Sequence, residues 1–235
     1  MSKRGLCSRT EAARWILGGR IAVDGRIVRD PGFPTGADAA IAVDGQSIDA
    51  AEPIYVALNK PRGLVTTTSD ERARETVYRC LEGTGLPWLA PVGRLDKASE
   101  GLLLFSNDPQ WAAGITDPAH GPGKTYHVQV DVIPDAALLA SLLVGIDSED
   151  GRLRAGEARL LRSGTRNAWL EIVLHEGRNR QIRRLLAAFD IGVLRLVRVA
   201  IGELALGELP KGAWRFLREE EIRALAAGSR LAAND

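Results

Sequence analysis

The chain has 235 residues, of which 45% are hydrophobic and 26% charged, with a net charge of +1. That balance belongs to a globular protein holding one large domain, or a small domain joined to a medium one, and it excludes intrinsic disorder. No apolar run approaches the roughly 20 residues that a bilayer span needs, and no apolar signal region follows the basic start, so a cytoplasmic protein without membrane association is expected.

Ser8-Arg9-Thr10-Glu11 is a capping box, in which the serine and the glutamate satisfy free backbone donors at a helix start. Ala12, Trp15 and Ile16 continue at helical spacing and Gly18-Gly19 stops them, predicting a helix over residues 8–17. Asp24-Gly25 between Ile21/Val23 and Ile27/Val28 predicts a hairpin, and Asp44-Gly45 after Ile41 and Val43 predicts a second. These elements make a first unit over residues 1–48, with a joint at residues 49–53. Beyond it, strands are expected at 54–58, 101–105, 124–132, 169–174, 194–201 and 214–217, and helices at 75–81, 135–143 and 180–189. Asn59-Lys60-Pro61-Arg62-Gly63 reads as a turn carrying two cations, and Asn107 or Asp108 as the cap of a helix opening on Pro109. Strands and helices intersperse without regular alternation, so residues 54–227 are expected to form an α+β domain with a mixed, mainly antiparallel sheet flanked by helices. Residues 228–235 show no pattern and are expected to fray.

The small net charge hides two basic islands. Residues 1–30 hold seven Lys and Arg against three acids, and residues 176–198 hold six Arg against two. Such islands suit either a solvated face or a phosphate backbone. Cys7 and Cys80 lie too far apart for a zinc spacing or a disulfide framework, and the three histidines form no ligand pattern, so no metal is expected. The absence of GxGxxG, GxxxxGK[ST] and GxSxG motifs argues against nucleotide cofactors and serine hydrolysis. What stands out is Gly93-Arg94-Leu95-Asp96-Lys97-Ala98-Ser99-Glu100-Gly101, a charged loop running into the apolar Leu102-Leu103-Leu104. It sets Asp96 at the rigid edge of a sheet, where catalytic groups are often held, although composition alone suits a surface turn with ion pairs better.

This loop closely resembles the GRLDxx[ST]xGLLLxTND signature of pseudouridine synthases. Three further segments resemble the same family in order: Lys60-Pro61-Arg62-Gly63, Lys124-Thr125-Tyr126, and Glu176-Gly177-Arg178-Asn179-Arg180-Gln181-Ile182-Arg183-Arg184. Their forms point to the RsuA-like branch, which acts mainly on ribosomal RNA. The first 48 residues resemble an S4 RNA-binding domain through Ser8-Arg9, Gly19-Arg20 and Val23-Asp24-Gly25, although the family's S4 unit usually opens with a further basic, leucine-containing turn.

The resemblance implies an isomerase that detaches uracil from its ribose, rotates it and rejoins it through C5, without a cofactor. It assigns Asp96 as the reacting carboxylate, acting either as a nucleophile or as a base toward a ribose proton. Arg183 matches the family's cation that pairs with the aspartate, and Tyr126 the tyrosine that stacks on the target base. Arg94 is expected to hold the loop or the extruded nucleotide, and Lys60, Arg62, Arg178 and Arg180 to contact phosphates. In the S4 unit, Lys3, Arg4, Arg9, Arg14 and Arg20 are expected to grip RNA shape. The expected partner is RNA, ribosomal above all, bound by a monomer. Two other classes stay open: an RNA-binding or ribosome-assembly protein that keeps the fold without the reaction, and an RNA N-glycosidase that would liberate free uracil.

Overall fold

The computed structural model describes residues 1–36, 38–49, 51–68, 73–149 and 151–231, without the side chains of Lys3 and residues 229–231. Near the N-terminus Ser8 accepts a hydrogen bond from the Glu11 amide at 3.1 Å and starts helix α1, Arg9–Leu17. Strands β1 (Ile21–Val23) and β2 (Arg26–Val28) form the first hairpin, and β3 (Ile41–Val43) and β4 (Gln46–Ile48) the second. Both Asp-Gly turns take positive φ at each central residue, at 49° and 78° and then at 50° and 82°, as a type I′ turn demands. The two hairpins join through β1 and β3 into one antiparallel sheet of order β2-β1-β3-β4. Ile21, Val23, Val28 and Ile41 form its core, and Trp15 and Ile16 of α1 pack onto it.

The larger unit is built on β5 (Tyr55–Lys60), β6 (Ala90–Val92), β7 (Glu100–Ser106), β8 (Lys124–Val130), β9 (Glu157–Ser163), β10 (Ala168–Leu174), β11 (Val193–Ile201), β12 (Leu204–Ala205) and β13 (Trp214–Phe216). The main path runs β13-β5-β7-β11-β8-β10-β9, with β6 beside β7 and β12 beside β11. The β7–β11 pairing is parallel and the other pairings are antiparallel, which is the mixed, mainly antiparallel sheet that the sequence predicts. Four helices flank it: α2 (Pro109–Thr116), α3 (Ala136–Val144), α4 (Gln181–Ala187) and α5 (Glu219–Leu231).

All seven residues of β7 are buried, because both its faces are covered. Leu102 and Leu104 pack with Trp111 and Ile115 of α2 and Leu225 of α5, while Leu103 and Phe105 pack with Val56, Leu58, Val77 and Leu89. Further along the sheet, Val128, Val130, Leu170 and Ile172 bury against Leu142 of α3 and Ile182, Leu185 and Leu186 of α4. Asp108 caps α2, with Pro109 at its first position.

Three expectations are corrected, and β6, β9, β12 and α5 answer to no expectation. The turn expected at 59–63 begins later, because β5 continues through Asn59 and Lys60, paired with Leu102 and Gly101. The helix expected at 75–81 is a single 3-10 turn, Val77–Leu81. Strand β9 escaped the pattern reading since this sheet-edge strand buries no residue fully, and so has no apolar alternation to read. Residues 228–231 continue α5 rather than fray, while 232–235 lie outside the described residues. Three glutamates in the first turn of α5 complement its dipole, and Glu221 accepts two hydrogen bonds from Arg215, at 2.7 and 2.8 Å, tying the helix to β13.

Candidate active site

The loop of residues 93–99 joins β6 to β7, and its backbone is held at every carbonyl from Leu95 to Ser99. Thr66 Oγ1 donates to Leu95 O at 2.7 Å, the Gly63 amide to Lys97 O at 2.8 Å, and the Ser99 amide to Asp96 O at 3.0 Å. Lys60 Nζ donates to Ser99 O at 2.8 Å, Asp96 O at 3.3 Å and Pro61 O at 3.1 Å. Arg183 Nη2 donates to Ala98 O at 3.3 Å. Five successive acceptors so occupied leave the loop little freedom, and preorganisation of this kind is what a reacting carboxylate needs.

The end of the loop is pinned as well. Glu100 is buried with its carboxylate between Arg195, at 3.1 Å to each oxygen, and Lys211 at 2.5 Å. Burial pushes the Glu100 carboxyl up, but the hydrogen bonds from Arg195 and Lys211 outweigh it and hold the group below its usual range. Gly101 has φ +99°, and a Cβ there would be driven into the Arg198 backbone carbonyl on β11. A Gly101→Ala variant is therefore expected to lose about 1–3 kcal/mol of stability through the forced shift of packed backbone, checked by urea unfolding.

The Asp96 side chain, 32% exposed, faces a cavity of about 390 Å³. Tyr126 lines the same cavity from β8, where its register partners are Ile172 of β10 and Arg198 of β11. The lining cations are Arg94, Lys124, Arg178, Arg180, Arg183 and Arg198, and Asp96 is the sole carboxylate among the lining residues. Arg180 Nη1 stands 3.8 Å from Asp96 Oδ2. Arg180 reaches that position with a left-handed backbone, φ 49° and ψ 33°, an uncommon conformation for a side-chain-bearing residue that here starts α4.

Gln181 organises the turn ahead of α4. Its amide nitrogen donates to Glu176 Oε1 at 2.7 Å and to Arg154 O at 3.1 Å, and its oxygen accepts from the Arg178 amide at 3.2 Å. Arg178 in turn donates to Glu176 at 2.8 Å. Burial, then Arg180 and Arg62, lower the Arg183 pKa, while Asp96 opposes the shift. Burial and the neighbouring Arg198 likewise pull Lys124 down.

Asp96, Tyr126, Arg183, Arg94, Arg178 and Arg180 thus converge on one cavity. Two roles change. Among the described residues the ion-pair partner of Asp96 is Arg180, which the sequence reading gave to phosphate, while Arg183 binds the loop two residues further on. Lys60 is no phosphate contact, since it is fully buried and its ammonium is spent on backbone carbonyls. Arg62 is exposed and does not line the cavity. In the first unit Arg9 and Arg14 are exposed on α1, while the side chain of Lys3 lies outside the described residues. Arg4 donates to Ala39 O at 2.6 Å, and Arg20 pairs with Asp44 at 2.5 Å beneath Trp15, so both brace the domain.

Thr66, Lys124, Gln181 and Arg198 escaped the sequence reading as site residues. Arg198 left one signal, a cation on the same side of β11 as the buried Leu196. Among the described residues no group of three or more His, Cys, Asp or Glu could hold a metal, and no helix is long and apolar enough to cross a membrane.

Residues 54–188 match the family described as RNA pseudouridylate synthase, and residues 1–41 match the S4 domain. A relative named as an RNA pseudouridine synthase in Mycobacterium leprae is 37% identical over 229 residues, spanning 96% of this chain and 90% of its own. Ribosomal large subunit pseudouridine synthase B of Bacillus subtilis is 34% identical over 226 residues, spanning 95% of this chain and 92% of its own. A crystal structure described as a pseudouridylate synthase matches with a TM-score of 0.66 at 30% identity, covering 93% of this chain and 94% of that one. Motif order, sheet topology and these likenesses agree: the chain belongs to the RNA pseudouridine synthase family and carries an S4 domain at its N-terminus.

Proposed function

We propose that the protein converts a uridine of ribosomal RNA to pseudouridine, with Asp96 as the reacting carboxylate. The observation that carries this reading is the cavity itself, where one clamped carboxylate and one tyrosine stand among six cations. A neutral uracil ring fits beside Tyr126, and the cations suit the phosphates on either side of it. Arg180 stands beside Asp96 as its counter-ion, and Arg183 holds the loop that presents it. Arg94 and Arg178 at the cavity, with exposed Arg62, serve the RNA backbone.

Ribosomal RNA is the substrate class because the Bacillus subtilis relative is named for the large ribosomal subunit. On this reading residues 1–48 grip the RNA through Arg9, Arg14 and Lys3, 49–53 link the units, and 54–227 catalyse; Ala50 in the link lies outside the described residues. On the same reading the protein acts as a monomer in the cytoplasm, where its ribosomal RNA substrate is found. The loops at 66–74 and 162–167 are candidates for choosing the target uridine; residues 69–72 lie outside the described residues, while Thr66 serves the catalytic loop.

Ribosomal RNA labelled with tritium at uridine C5 tests the reading. Release of tritium without free uracil supports it. Free uracil would mark an N-glycosidase, and binding without release a protein that keeps the fold only. Carbodiimide-based primer extension on RNA from cells with and without the gene then locates the uridine.

A further inference from the structure

We propose that Arg198 contacts the substrate, its guanidinium binding the carbonyl oxygens of the uracil ring and stabilising the negative charge the ring carries while detached. This rests on the functional reading above.

Arg198 lines the cavity beside Tyr126 and is only 5% exposed. Its Nε donates to Leu102 O at 2.7 Å, while Nη2 is enclosed without a hydrogen-bond partner. Among the described residues no carboxylate lies within ion-pair distance of it. A buried arginine normally comes with a counter-ion, because an unpaired charge and an unsatisfied donor are both costly away from water. Lys124, which lines the same cavity, carries the same sign, and burial first and then Arg198 lower its pKa. The missing partner is an anion or a strong acceptor, and the cavity is the space that admits one.

Depth separates a uracil from a phosphate. Arg94 and Arg180 are exposed at the cavity rim, where the RNA backbone passes, whereas Arg198 is buried on a central strand against the tyrosine. Its main chain is also locked, since the Arg198 carbonyl packs against Gly101 at the end of the catalytic loop. A cation fixed in this way is oriented before substrate arrives, and such preorganised groups act most strongly on charge that develops during reaction.

On either route open to Asp96, the C1′–N1 bond breaks with its electron pair going to uracil. The resulting anion spreads over N1 and the ring carbonyls. The ring turns, its C5 bonds to C1′, the C5 proton is lost to a base and N1 takes up a proton, so no further reagent is consumed. A guanidinium at the carbonyls is worth most at the anionic stage. Its removal should therefore slow the reaction more than it weakens binding.

The test compares wild type, Arg198→Met and Arg198→Lys in single-turnover tritium release, RNA affinity and thermal melting. Arg198→Met is expected to lower the rate about 100–1,000-fold, with RNA affinity unchanged within about twofold, and Arg198→Lys to fall between. With active wild type, a rate for Arg198→Met within about threefold of it overturns the inference, as does a loss that appears in RNA affinity instead, which would make Arg198 a phosphate anchor. Should Arg198→Met fail to fold, Arg198→Lys decides: an unchanged rate overturns the inference and a loss of about tenfold at unchanged affinity supports it. Wild type that releases no tritium from ribosomal RNA overturns the functional reading, and this inference with it.

Discussion

Asp96→Asn is expected to bind RNA at least as tightly as wild type and to release tritium at least about a thousand-fold more slowly. Asparagine has nearly the same shape, and the bonds that hold the loop run to backbone carbonyls rather than to the Asp96 side chain. The loop therefore keeps its place. What disappears is the charge: an amide neither adds to a sugar carbon nor accepts a ribose proton. Binding does not suffer, because removing the sole carboxylate among the lining residues takes away a negative charge that repels the RNA phosphates. Single-turnover kinetics beside a filter-binding titration separate the two effects. A variant that turns over at the wild-type rate would sink the assignment of Asp96.

Lys60→Met is expected to lower the rate about a hundred-fold although residue 60 never meets RNA, because the carbonyls of Asp96 and Ser99 lose their donor and the carboxylate loses its fixed position. Methionine fills the buried volume, so the fold should survive for the assay. A second signature lies in pH. Burial pulls the Lys60 ammonium down to about 8, against the attraction of Asp96, Cys80 and Glu100. Below that pH it is charged and holds all three carbonyls; above it, one donor is lost, so the rate should fall on the alkaline side of about pH 8.

Stability moves the other way. The unfolded chain, with an ordinary lysine value of 10.5, binds more protons than the folded one between about 8 and 10.5. The contribution of Lys60 to stability therefore rises with pH across that window. A rate that declines there while urea unfolding finds no matching loss from this residue identifies loop loosening rather than denaturation. A rate flat to pH 10 would defeat the role given to Lys60.

Much of the chain was legible without coordinates wherever neighbours in sequence do the work. The capping box at Ser8, both Asp-Gly turns and the cap at Asp108 are local hydrogen-bond or dihedral requirements, and they read correctly. The apolar run behind the loop read as a buried strand for a similar reason, since seven covered residues leave no polar face. Strand β9 did not read, because its exposure on the sheet edge removes the periodic signal. Within the site, Asp96, Tyr126, Arg180 and Arg183 could be named from motifs, but their mutual arrangement could not.

By itself, then, the sequence determined most of the elements, though not β6, β9, β12 or α5, together with the α+β class and which residue types stand ready for chemistry, because caps, turns and periodic burial act over a few residues. Only the tertiary structure decided what each cation does. Lys60 and Asp96 are 36 residues apart, and Arg183 and Ala98 are 85 apart, so no local rule relates them. Burial turned Lys60 into a clamp on the loop, the left-handed backbone at Arg180 brought that arginine to the carboxylate, and the parallel pairing of β7 with β11 set Arg198 against the end of the loop. A charge in sequence is only a charge; the surrounding carbonyls, carboxylates and free space give it a role.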